Sequence, residues 1–308
     1  MPFFTVIIPL FNKENFIENT LNSVLSQTFA DFEVLIVNDG STDSSVEIIK
    51  KFTDPRISYF SKENQGVSSA RNYGVEKANT NHISFIDADD YWYPGFLEEM
   101  FKNIKRHSGQ KVFSAAIEIA TSNKVFPAQY SITKTNDCEI VNYFSASCKE
   151  TIICTSCAVF NKSVFEEIGN FDIQIKSGQD TDLWVRIGLV YPVVFSWKVL
   201  ARYVYDKNSL SKNKNSLNTK MDFNKFKELE KTNPLLKKFL DLNRFSLAIK
   251  FKLSGNKIAF DNHYKDIDLK NLGLKKRTLL LLPATLLNQL IQFKTVLAES
   301  GLSSSVFK

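Results

Sequence analysis

The first ninety or so residues of the chain alternate, four times over, between a short apolar run and a stretch of helical spacing. Phe3 to Leu10 is almost continuously apolar, as a strand covered on both faces would be. Phe16, Ile17, Leu21, Val24 and Leu25 then recur with helical period. Glu33 to Val37 is a second β-branched run, and Asp39-Gly40-Ser41 reads as a turn with a cap for a helix over 43–52. Ile57 to Phe60 makes a third strand, Val67 to Lys77 a helix, and His82 to Ile86 a fourth strand. This alternation predicts a doubly wound α/β sheet with helices on both faces.

Beyond residue 93 the pattern loosens. It predicts a helix over Pro94 to Arg106, strands over Val112 to Ala120 and Lys124 to Phe126 in a mixed region, and a strand over Thr151 to Phe160. Gly178 to Val190 reads as a helix and Val193 to Tyr205 as one or two strands. Asp206 to Asn218, rich in Ser, Asn and Lys, reads as a mobile loop, and the spacing after it is helical to the end. The expected division is 1–214, itself split into 1–93 and 94–214, and a helical extension over 215–308. Charge follows it: residues 1–214 carry 22 Lys+Arg against 25 Asp+Glu, and residues 215–308 carry 17 against 8. An acidic front suits a metal site and a basic tail suits an anionic surface. No run of about 20 apolar residues suggests a membrane span, and no basic segment ahead of an apolar one suggests a signal peptide. Of the 4 cysteines, Cys154 and Cys157 form a CxxC without a second pair, and are read as core residues in a reducing cytoplasm.

Open α/β sheets bind ligands beyond the carboxyl ends of their strands. Three polar clusters fall there: Pro9 to Lys13, Asn38 to Asp43, and Asp87-Ala88-Asp89-Asp90. Carboxylates so closely spaced repel one another unless a cation offsets them. Hard oxygen ligands suit Mg²⁺ or Mn²⁺, which bind through one or two carboxylates together with substrate phosphates. No glycine-rich dinucleotide fingerprint or phosphate-binding lysine loop follows the first strand. A nucleotide can instead be held by an aromatic face and a carboxylate, such as Phe11 and Asp39, although core packing suits Phe11 as well.

Residues 3 to about 205 resemble a family-2 glycosyltransferase of the GT-A fold. The resemblance rests on Thr5 to Lys13, Val37 to Asp43, Asn64 to Asn72 and Phe85 to Asp90, in order and at matching spacing. It implies a nucleotide site lined by Pro9, with Phe11 (usually Tyr) stacked on the base and Asp39 on the uracil. It further implies Arg71 near the nucleotide, Asp87 on the ribose and Asp89 on the metal, Mn²⁺ or Mg²⁺. About 90 residues later, Gly178-Gln179-Asp180-Thr181-Asp182-Leu183 matches the family's acidic helix start, with Gln179 in place of its first acid. Asp180 aligns with the general base, and the positive end of a helix dipole favours a carboxylate there. Arg202 to Ser211 resembles a loop that closes over the donor; relatives often carry histidine where Asp206 stands, and no catalytic role follows for it. His82, His107 and His263 lie in no motif and are expected to be structural or solvated.

The activity implied is transfer of a hexose-type sugar from a nucleotide diphosphate donor, UDP-linked by preference, to an acceptor hydroxyl with inversion. A glycan or lipid-linked acceptor in surface polysaccharide synthesis is the expected partner, and no nucleic acid is. The alternatives are a sugar-nucleotide-binding protein without catalysis and a sugar nucleotidyltransferase. In the tail, Lys275-Lys276-Arg277 precede apolar residues at helical spacing, among them Leu286, Leu287, Leu290, Ile291, Val296 and Leu297. That suits a peripheral contact with the inner face of the membrane; a helix packed on the catalytic part or across a homodimer is the competing reading.

Overall fold

The computed structural model describes residues 1–121, 124–205 and 221–290. The described residues form two units, Met1–Ala146 with Glu150–Met221, and Ser147–Lys149 with the residues from Asp222 onward. The centre of the first unit is β1 (Phe4–Leu10), whose seven residues are all buried. Its β-branched run Thr5 to Ile8 suits a pleated surface. β2 (Phe32–Asn38) lies parallel on one side of it, with β3 (Ile57–Ser61) beyond. β4 (His82–Phe85) lies parallel on the other side. The crossovers are α1 (Ile17–Leu25), α2 (Ser45–Ile49) and α3 (Val67–Lys77). α3 packs so close to β1 that a Cβ on Gly74 would lie 2.4 Å from Ile7 Cγ2.

After β4 come β5 (Tyr91–Trp92), α4 (Phe96–Arg106), β6 (Val112–Ala120), β7 (Val125–Pro127) and β8 (Cys138–Val141). They are followed by α5 (Tyr143–Ala146), β9 (Ala158–Asn161), α6 (Ser163–Ile168), α7 (Gln179–Gly188) and β10 (Val193–Val204). The sheet order is β3-β2-β1-β4-β9-β6-β10-β5, with β7 on β6 and β8 on β10. β9 runs antiparallel to both β4 and β6, and β10 runs parallel to β6. β1 to β4, β6 and β10 therefore point the same way and deliver their carboxyl ends to one edge. This is the mixed, doubly wound sheet of the GT-A type, with helices following it in the chain.

Two expectations are corrected. Thr151 to Phe160 is not one strand: pairing starts only at Ala158, and residues 155–157 form a short 3-10 turn. The run is apolar because that turn is buried under the sheet edge, a setting that periodicity does not separate from a strand. The helix expected over 43–52 is the five-residue α2, and Ser41 does not cap it; its hydroxyl accepts the Asn12 N–H at 3.1 Å. Of the one or two strands expected over Val193 to Tyr205, residues 193–204 form one, kinked by register shifts between Ser196 and Ala201. The loop expected over 206–218 lies outside the described residues.

The second unit is helical. α8 (Lys227–Thr232) leads to α9 (Pro234–Leu253), capped by the Asn233 side chain, which accepts the Leu236 N–H at 3.0 Å, with Pro234 in the first turn. α10 (Lys257–Tyr264) is capped likewise by Asn256. α11 (Leu274–Leu281) ends where Leu282 turns extended before Pro283. Ala248, Ile267, Leu272 and Leu280 form this unit's apolar centre. Arg244, 1% exposed, bridges Glu230 at 2.6 and 2.9 Å and Asp241 at 3.2 Å. Leu280 and Leu287 are buried, whereas Leu274 and Leu281 are exposed. Ile291, Val296 and Leu297 lie outside the described residues. Among the described residues, no helix is long and apolar enough to cross a membrane.

Candidate active site

Strand order reverses between β1 and β4, where open α/β sheets form their ligand crevice. Proline opens it. The Ile86 N–H donates to Ile7 O and the Asp39 N–H to Leu10 O, so odd-numbered residues of β1 face β4 and even-numbered ones face β2. Pro9, which has no N–H, therefore faces β4 just past the last β1–β4 pair, Ile7 with Phe85, where no donor is needed. Phe11 follows and is 41% exposed, so it is not a core residue. Asn12 sits at φ 50, in the left-handed region that asparagine tolerates, and its side chain accepts the Thr42 N–H at 2.8 Å.

Asp39 is buried at the end of β2. Its Oδ1 accepts from Lys62 Nζ at 2.5 Å and from the Gln65 N–H at 3.1 Å, and its Oδ2 accepts from the Gly66 N–H at 2.7 Å. It thus fixes the segment leading into α3, which carries Arg71. Arg71 is itself buried and its Nη2 meets Asp87 Oδ1 at 2.5 Å, with its guanidinium 5.2 Å from the Phe171 ring centre. Asp89 Oδ2 meets Lys13 Nζ at 2.5 Å. Burial, then the Asp87 charge, push the Asp89 carboxyl above its usual range, against the pull of Lys13.

Asp90 has a different environment. It is 1% exposed; Oδ2 accepts from Ser156 Oγ at 2.5 Å and Oδ1 from the Val204 N–H at 2.9 Å. Ser156 Oγ also accepts the Asp87 N–H at 3.0 Å, and its carbonyl accepts Trp92 Nε1 at 2.6 Å. The buried 155–157 turn therefore clamps the acidic loop from below. Burial, then the charges of Asp87 and Asp89, push the Asp90 carboxyl well above its usual range.

α7 starts behind Gly178, at φ 84, with the Asp182 N–H donating to Gly178 O at 2.9 Å. Asp180, in the first turn, is half-buried, and its Oδ1 accepts the Thr181 N–H at 2.8 Å. Asp182 is fully buried and paired with Arg186 at 3.0 Å. Arg186 also donates to Ile168 O and Asn170 O, so Asp182 is committed to structure. α7 is joined to the acidic loop through Phe171, whose ring meets Trp184 at 5.9 Å and Arg71 at 5.2 Å.

Among the described residues, no three His, Cys, Asp or Glu side chains are gathered to hold a metal alone. Asp87 and Asp89, 30% and 16% exposed in their side chains, are two hard oxygen donors opening on the crevice. Such a pair fits Mg²⁺ or Mn²⁺ held jointly with phosphates. A cavity of about 500 Å³ opens beside the crevice along α3, sharing Lys62 and Gln65 and lined further by Tyr73, Glu76 and Phe165. The acidic loop does not line it. Sequence reasoning assigned no role to Lys13, Lys62 or Ser156; their partners lie 76, 23 and 66 residues away. Cys157 is buried and Cys154 half-buried, both without a disulfide. His82 stacks on Phe3 and His263 on Phe251, and burial lowers His82 below its usual range.

The sequence model of the glycosyl transferase family 2 matches residues 5–169. The chain is 31% identical over 219 residues to glycosyltransferase GlyA of Streptococcus pneumoniae, covering 68% of this chain and 31% of that protein. It is 29% identical over 208 residues to the uncharacterized glycosyltransferase RT0329 of Rickettsia typhi, covering 65% of this chain and 63% of that one. The chain thus spans less than a third of the length of GlyA. Among solved structures, residues 1-349 of S. aureus TarS in complex with UDP-GlcNAc superpose with a TM-score of 0.68 at 19% identity, over 87% of this chain and 82% of that one. That likeness is one of fold.

Proposed function

This chain belongs to glycosyl transferase family 2; from that premise we propose that it is a glycosyltransferase that moves a sugar from a UDP-sugar to an acceptor hydroxyl with inversion at the anomeric carbon. The observation that carries the reading is that Asp39 after β2, Arg71 on α3, and Asp87 and Asp89 in the loop after β4 stand at one carboxyl edge of the sheet, with Arg71 paired to Asp87 and Lys13 to Asp89. A UDP-GlcNAc complex of a protein sharing this fold supports the choice of nucleotide.

Loss of a nucleoside diphosphate builds negative charge on the leaving oxygen. Asp89, with Asp87 beside it, would hold a divalent ion, whose charge would offset that of the leaving diphosphate. Phe11 offers an exposed ring to the base, and Asp39, whose oxygens are taken by Lys62, Gln65 and Gly66, would act by holding the backbone beside the base in place. Arg71, pinned by Phe171 and Asp87, supplies fixed positive charge to the same end of the donor. Asp180, at the positive end of α7, takes the proton of the acceptor hydroxyl as it attacks the face opposite the leaving group. A single displacement inverts the centre.

A thermal-shift screen of UDP-, GDP- and dTDP-sugars with Mn²⁺ tests the donor, because a ligand that binds only the folded state raises Tm. The expected result is a rise with UDP-sugars above the others. A rise confined to GDP- or dTDP-sugars overturns the nucleotide assignment, and no rise with any of them overturns the reading. Release of UDP rather than pyrophosphate separates transfer from nucleotidyl chemistry. The exposed Leu274 and Leu281 flanking Lys275-Lys276-Arg277 support attachment to an anionic membrane surface, where each basic residue contributes about 1 kcal/mol. Co-sedimentation with anionic liposomes at low salt is the measurement; no binding would leave these helices as packing elements.

A further inference from the structure

Lys13 stands in the turn after β1 and reaches across the crevice to the end of β4. Its backbone N–H donates to Ser45 Oγ at 2.8 Å, and the left-handed Asn12 before it is tied to the 41–42 turn. The backbone is thus fixed while the ammonium, 5.6 Å from the Phe16 ring centre, lies on Asp89 Oδ2 at 2.5 Å. Asp87 is matched in the same way by Arg71. With Asp90 held apart by Ser156 and the Val204 N–H, the Asp89–Lys13 and Asp87–Arg71 pairs are each electrically balanced without any ligand.

The two cations are not equally committed. The Arg71 side chain is 4% exposed and held against Phe171; the Lys13 side chain is 25% exposed on a flexible stem. A nucleoside diphosphate sugar and a divalent ion carry opposite charges of similar size, so together they add little net charge to a balanced cluster. They change the pairing instead. An ion on Asp89 takes the oxygen that Lys13 now occupies, and the diphosphate brings new acceptors within the reach of that ammonium.

We propose that Lys13 is the standing counter-ion of Asp89 in the donor-free protein, and that it yields Asp89 and moves to a diphosphate oxygen when donor and ion enter. Lys13 then competes with a free divalent ion for Asp89, so the ion enters with the nucleotide rather than ahead of it. The inference rests on the donor site described under Proposed function.

The test titrates Mn²⁺ alone against the full chain, with the free ion followed by electron paramagnetic resonance, and then UDP in the presence of Mn²⁺ by calorimetry. Lys13→Gln removes the competitor and the phosphate contact together. It is expected to bind Mn²⁺ without nucleotide on the order of ten-fold more tightly than wild type, and UDP with Mn²⁺ on the order of ten-fold more weakly. Lys13→Arg keeps the charge and is expected to bind free Mn²⁺ as weakly as wild type, which separates charge from a general loosening of the loop. Equal Mn²⁺ affinity of wild type and Lys13→Gln, in a wild type that binds UDP with Mn²⁺, overturns this inference alone. A wild type that binds no UDP overturns the donor site beneath it, and this inference with it.

Discussion

The carboxyl edge of the sheet and the helical C-terminal unit both gather acids around an arginine, but they leave them in different states. In the helical unit, Arg244, Glu230 and Asp241 are 1%, 8% and 0% exposed, and the acids meet Arg244 and Lys237 inside the fold. At the sheet edge, Asp87 and Asp89 also have cations, yet their side chains stay partly open to the crevice. Sealed pairs repay the desolvation of charge only by fixing geometry. Open pairs can exchange partners with a ligand. The same division recurs within α7, where Asp182 is sealed by Arg186 and Asp180, two residues earlier, keeps an oxygen for chemistry. Among these pairs, Asp87, Asp89 and Asp180 are the more open acids and Glu230, Asp241 and Asp182 the sealed ones; Asp39, 2% exposed and held by Lys62, Gln65 and Gly66, belongs with the sealed ones although it lies at the sheet edge.

That division predicts opposite costs for the two classes. Asp180→Asn is expected to lower turnover by roughly 10²–10⁴, the usual worth of a positioned base, with UDP affinity within a few-fold and an unchanged urea midpoint. Steady-state kinetics with an acceptor found by product screening checks it, and retention of most activity would move the base elsewhere. Arg244→Met should do the reverse. It strands two buried acids and is expected to cost about 3–5 kcal/mol in urea denaturation, while the folded protein still binds UDP. Loss of UDP binding by the folded variant would blur the comparison.

The smallest effect expected is at Asp54, where the Arg56 side-chain hydrogen bond holds the carboxyl below its usual value of 3.8. A lowered folded value means that the pair stabilises above pH 3.8 and loses its effect as pH falls through the folded value. Asp54→Asn should therefore cost about 1 kcal/mol or less at neutral pH, and its difference from wild type should narrow below that point. A difference that persists in acid would assign the effect to the backbone bond that the Asp54 side chain accepts from Arg56.

β1, β2 and most of β4 are legible because they are buried on both faces, whereas the edge strand β3 is partly exposed and shows only its short β-branched and aromatic run. A run such as Thr5 to Pro9 has no other stable home, and the expected helix over Val67 to Lys77 is α3 to the residue. Legibility falls in 138–175, where β8, β9, α5 and α6 span only four to six residues each. Elements so short hold too few residues to separate a helical from a strand period. The buried turn around Ser156 looks like a strand in sequence because both present apolar runs. The acidic loop and its place at a strand end are readable locally. Its cations are not, since Lys13 and Arg71 come from other elements and only the sheet order brings them to Asp89 and Asp87.

The central claim, that the open carboxylates of the sheet edge bind the donor through a divalent ion, is tested most directly at Asp89. Calorimetric titration of UDP into wild type and Asp89→Asn, each with and without Mn²⁺, reads it in one set of measurements. The account predicts that Mn²⁺ strengthens UDP binding by wild type and that Asp89→Asn loses this gain while its urea midpoint stays near that of wild type. Equal, Mn²⁺-independent UDP affinity in both proteins would contradict it.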